Sequence, residues 1–132
     1  MEEDDVSDQV VCQRVRNRII GYLELASSFE EQLDYQRVAP IWVPNEVINQ
    51  WGDWVRDPAD PWYGPPVFSL EERAAIASFD ATLNEVCDGT PRALPPIEDL
   101  VLHPTWERLR AAAEAALHVF RVRGLLSEEE EI

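Results

Sequence analysis

All ten prolines of the chain fall between Pro40 and Pro104. Inside a helix, proline removes a backbone hydrogen bond and clashes with the preceding turn. The two flanks are therefore free to form long helices, while the middle must be broken. The chain has 132 residues, which predicts a single domain, 1–132, with a core of its own.

The first flank carries Val11, Val15, Ile19, Tyr22, Ala26, Phe29 and Leu33 at steps of three and four. Such a stripe marks a helix with one apolar side. Ser7 or Asp8 is placed to cap its start. Ser28 with Glu31 matches a capping box, but the stripe keeps its phase across Ser27-Ser28. One long or slightly bent helix ending before Pro40 is expected. A second helix fits Asn45–Val55, where Val47, Ile48, Trp51, Trp54 and Val55 repeat at helical spacing. Four prolines and a glycine between Arg56 and Pro66 make a loop. Ser69 with Glu72 opens a third helix through Ala75, Ile76, Phe79, Leu83 and Val86, with Gly89 closing it in the left-handed conformation. A short turn of helix fits Ile97–Leu102. The last helix begins near Pro104 and ends at Gly124, with Trp106, Leu109, Ala113, Ala116, Leu117 and Phe120 on one side. No segment alternates with period two for long enough to require a strand. The expected fold is all-α, an irregular bundle of four to five helices with long N- and C-terminal helices and a Pro-rich middle.

Charge narrows the partners. The chain has 26 acidic and 11 basic residues, a net charge of −15. Residues 1–8 and the run Glu128–Glu131 hold more than half of this excess. Acidic flexible ends are expected at about 1–8 and 127–132. An acidic surface excludes phosphate-rich partners, so no nucleic acid and no anionic membrane surface are expected. No apolar run is long enough to span a bilayer. The start, Met1-Glu2-Glu3-Asp4-Asp5, lacks the positive and apolar regions of a secretory signal, so a cytoplasmic protein is expected. All 11 basic residues are Arg, a usage that fits a GC-rich genome and predicts forked Arg–carboxylate pairs. Cys12 and Cys87 fit no metal or redox spacing and are expected to be free thiols.

Several residues resemble sites only until their spacing is considered. Glu114 and His118 lie one helical turn apart, but a metal needs further ligands, and none is visible. The spacing of Asp53, Asp57 and Asp60 does not match a calcium loop. Arg14, Arg16 and Arg18 form the only basic cluster, read either as an anion site or as partners of nearby acids. No phosphate loop, nucleophile elbow or zinc-protease motif occurs. No catalytic residue, metal or cofactor is therefore assigned.

The informative stretch runs from Trp51 to Tyr63 and holds three of the five Trp residues. Helical spacing places Trp51 in the core. Trp62 sits among prolines and receives no core position. Trp and Tyr anchor many binding surfaces, and acids beside them suit a cationic partner. The candidate binding residues are Trp62, Tyr63, Trp54, Asp53, Asp57 and Asp60. The expected function is a non-catalytic, acidic helical module that binds a basic protein surface, for instance a bacterial immunity protein or antitoxin. The alternatives are an enzyme of unrecognised type with an interhelical pocket, and a self-associating subunit that uses the Ala-rich outer side of the last helix.

Overall fold

The computed structural model describes residues 6–90 and 93–132. The acidic start at Glu2, Glu3, Asp4 and Asp5 lies outside them. Among the described residues all regular structure is helical: α1 (Asp8–Ala26), α2 (Phe29–Val38), α3 (Val43–Trp54), α4 (Leu70–Gly89), α5 (Ile97–Leu100) and α6 (Pro104–Arg121). Helix α6 packs on α4 and α1, and α3 lies against α1, while α2 and α5 close one side. No helix among the described residues is long and apolar enough to cross a membrane.

The boundaries follow local chemistry. The Ser7 hydroxyl accepts from the Val10 amide and starts α1. At α4 the full capping box forms: the Ser69 hydroxyl accepts from the Glu72 amide, and Glu72 accepts from the Ser69 amide, each at 3.1 Å. The His103 ring accepts from the Thr105 amide at the start of α6, with Pro104 in the first turn. The chain leaves α6 through Gly124 at φ +72°, and the Gly124 amide donates back to Phe120.

Three expectations need correction. The first flank forms two helices, so the bundle has six helices among the described residues. The break lies at Ser27-Ser28, where Ser28 caps α2 through the Glu31 amide. Gln32 of α2 donates to the carbonyls of Leu25 and Ala26 at 3.1 and 3.2 Å, satisfying groups that the end of α1 leaves open. Its amide oxygen accepts from the indole of Trp106 at 2.8 Å, so the break is tied into the core. Second, Gly89 is the last residue of α4 and is not left-handed; Gly124 alone has a positive φ among the described residues. Third, the early stripe is displaced. Val11 is 41% exposed, whereas Gln13, Arg16 and Asn17 are buried. Their burial needs polar partners, and later parts of the chain supply them.

Arg16 is one of those buried residues. Its guanidinium forks onto Glu72 with contacts of 2.8 and 3.1 Å, donates to the Gly124 carbonyl at 2.5 Å and lies over the ring of Phe120. Arg123 approaches the same carboxylate at 2.7 and 3.1 Å and holds the carbonyls of Pro66 and Val67. Arg16 and Glu72 are 0% and 1% exposed. Burial alone would raise the Glu72 carboxyl, but the hydrogen bonds from Arg16 and Arg123 outweigh it and hold the group at about 2.

Residues 125–132, which include the acidic end expected at about 127–132, run back along α1. Asn17 pairs with both backbone groups of Leu126 at 2.9 and 3.0 Å. Apolar packing fills the remaining interior. Tyr22, Trp51 and Phe79 form one aromatic cluster, with centroids 4.7–5.9 Å apart. Trp51 is buried as expected, and its indole donates to Asp80 at 2.9 Å.

Candidate binding cleft beside Trp62

The loop between α3 and α4 is shaped by its own acids. One carboxylate oxygen of Asp57 accepts from the Ala59 amide at 3.0 Å, and one of Asp60 accepts from the Trp62 amide at 2.9 Å. Such turns fix the backbone two residues ahead of each Asp. The amides of Asp60 and Tyr63 donate in succession to Asp57 and Asp60, so the loop winds tightly. At Gly64 a Cβ would stand 2.9 Å from the Pro61 carbonyl oxygen, which explains glycine there. Arg73 of α4 donates to the Ala59 carbonyl at 2.6 Å. The hydroxyl of Tyr63 donates to the Trp54 carbonyl at 2.7 Å and pins the loop to the end of α3.

A line of edge-to-face rings continues inward. Trp62 meets Tyr63 at 5.2 Å, Tyr63 meets Phe68 at 5.5 Å, and Phe68 meets Phe120 at 6.3 Å. Tyr63 is buried, and burial pushes its hydroxyl pKa up. Trp62 stands at the outer end of the line and is 40% exposed. Its position is held by its amide on Asp60, by the thiol of Cys12 on its carbonyl and by the Tyr63 ring.

All six residues singled out from sequence line one cleft of about 370 Å³: Asp53, Trp54, Asp57, Asp60, Trp62 and Tyr63. Val15 and Arg56 complete it. Asp53, Asp57 and Asp60 are exposed, and none of them meets a counter-ion within 4 Å among the described residues. Trp62 also lines a smaller cleft of about 180 Å³, with Asp8, Gln9, Cys12 and Pro61 among its lining. Trp62 thus borders two recesses. Aromatic faces attract cations and bury aliphatic stems, and the carboxylates add net negative charge. The arrangement suits a cationic side chain with an apolar shaft.

No family model, no curated protein and no solved structure matches the chain.

The other sequence candidates separate from this cleft. Arg16 of the basic cluster is buried on Glu72, as described, while Arg14 donates to the Glu128 carbonyl at 2.7 Å. Glu114 pairs with Arg110 at 3.3 Å, and His118 lies exposed at a cleft between α4 and α6. No three His, Cys, Asp or Glu side chains are grouped to hold a metal among the described residues. Sequence reasoning missed Val15 and Arg56. Val15 belongs to the apolar stripe and packs against the core, and the placement of α1 beside the loop leaves its partly buried side chain also bordering the cleft.

Proposed function

We propose that the protein is a non-catalytic, acidic binding module that engages a basic protein surface through the cleft beside Trp62. One observation carries the reading: the six aromatic and acidic residues converge on a single cleft whose outer wall is a large, half-exposed indole. Buried aromatic contact supplies affinity, and the unpaired carboxylates favour approach of a cation. The loop is already ordered by its turns and by Tyr63, so little conformational freedom is lost on binding. Inhibition of a cationic protein, in the manner of an immunity protein or antitoxin, is the concrete form of this reading.

The test compares the wild-type chain with Trp62→Ala against a basic protein retained from the native host. Trp62→Ala should weaken that complex by about 2 kcal/mol or more. Stability in urea should change far less than the roughly 3–5 kcal/mol expected for a core Trp. The association rate should fall as salt rises. Unchanged affinity for Trp62→Ala, or preference for an acidic partner, refutes the proposal.

A further inference from the structure

The cleft beside Trp62 holds charge of both signs, since Arg56 lines it together with Asp53, Asp57 and Asp60. Arg56 is exposed and, like the three acids, meets no opposite charge within 4 Å among the described residues. The two signs nonetheless act at one point. Burial chiefly raises the pKa of the Tyr63 hydroxyl, a backbone hydrogen bond at Arg56 lowers it, and the charges of Asp60 and Arg56 then push it in opposite directions. That hydroxyl is fixed on the Trp54 carbonyl at the end of α3. Arg56 also repels a bare cation, so a simple cationic side chain gains less here than three acids would give it. A ligand that carries its own anion beside the cation turns this repulsion into attraction.

We infer that the cleft receives the C-terminal basic residue of its partner, with the Asp carboxylates on the cationic head, Trp62 along the stem and Arg56 on the terminal carboxylate. The inference rests on the reading of this cleft as a site for a basic protein and specifies which part of that protein enters. In a polypeptide, a cation and an anion belong to one residue only where an Arg or Lys ends the chain. Capture of a C-terminal carboxylate is a recurring mode of peptide recognition. Asp57 and Asp60 each commit one carboxylate oxygen to a backbone amide, at 3.0 and 2.9 Å, and keep the other for a ligand. The loop is ordered by those same bonds, so the two acids are in place before binding. A guanidinium or ammonium head satisfies them, and its aliphatic stem covers the indole.

The sign of one comparison tests this. The probes are acetyl-Ala-Ala-Arg with a free C-terminal carboxylate and the same peptide as its amide, titrated into the full chain at low salt. The chain carries a net charge of −15, so general attraction favours the amide, which has the larger positive charge. The inference requires the reverse. The free acid should bind roughly tenfold more tightly, as one charge-assisted contact would give. Arg56→Gln should erase that preference, although it makes the chain more acidic still. The Arg56 side chain is exposed, so the urea midpoint of this variant should not move. Trp62→Ala should weaken both peptides. Tighter binding of the amide, or a preference that survives Arg56→Gln, overturns the inference, and a loss on Trp62→Ala in the same titrations leaves the cleft reading standing. Indifference of both peptides to Trp62→Ala removes the cleft reading and the inference with it. No binding of either peptide at about 1 mM overturns the inference alone. Equal binding of free arginine, or of an amidated peptide with an internal Arg-Asp pair, would assign the site to an amino acid or to an internal segment and overturn the terminus.

Discussion

Glu72→Gln isolates the charge at the centre of the buried cluster. Glutamine keeps nearly the same shape and can still accept from the Ser69 amide, so the start of α4 is retained. The loss of the anion leaves Arg16, fully buried, facing a neutral group. Removing one partner of a buried ion pair commonly costs about 3–5 kcal/mol. The pKa offers a second route to the magnitude. The folded Glu72 sits at about 2 against an ordinary value of 4.5, a gap worth about 3 kcal/mol of stability above the unfolded pKa. Because the folded value is the lower one, this contribution is complete at neutral pH and fades as pH falls from about 4.5 towards 2. Urea melts of wild type and Glu72→Gln across pH 2–7 measure it directly. The difference should be about 3 kcal/mol at neutral pH and should shrink steadily below pH 4.5. A cost below about 1 kcal/mol at pH 7, or a difference that does not change with pH, would refute the reasoning.

Gln32→Ala should cost about 2–4 kcal/mol in the same melts, since it strands the carbonyls of Leu25 and Ala26 and the indole of Trp106. Gly64→Ala should cost about 1–3 kcal/mol, because its Cβ meets backbone that cannot move aside as a side chain would; an unchanged urea midpoint would show that the loop relaxes freely. Cys12, with its thiol pushed up to about 11 by burial, should react with a disulfide reagent at pH 8 far more slowly than the unfolded chain does. Equal rates would refute its burial.

Helix boundaries were legible wherever a local chemical signal marked them. Ser69 with Glu72, Ser28 with Glu31 and the position of Pro104 all act within four residues of themselves. The stripe through Phe29 and Leu33 concealed the break after Ala26, because hydrophobic phase is blind to a polar residue in the interior. Gln32 is the buried residue of α2, and a ranking by apolarity places it outside. Gln13, Arg16 and Asn17 escaped for the same reason. Their partners lie far along the chain, and no periodicity reports a partner. The aromatic and acidic cleft was readable because seven of its eight lining residues fall between Asp53 and Tyr63. Val15 reaches it from another helix, so its role appeared only once the elements were packed.

The Arg16–Glu72–Arg123 cluster also dictates an order of events. Glu72 is 56 residues from Arg16 and 51 from Arg123. Contacts that close loops of this length form late, after local helix formation and the first packing of neighbours. Interactions absent from the folding transition state act on the unfolding rate and leave the folding rate nearly unchanged. The cluster is therefore a latch: Glu72→Gln should let the bundle open faster while it closes at its usual speed. On a ribosome, α1 to α4 can be synthesised and collapse together, but the latch waits until Arg123 has emerged.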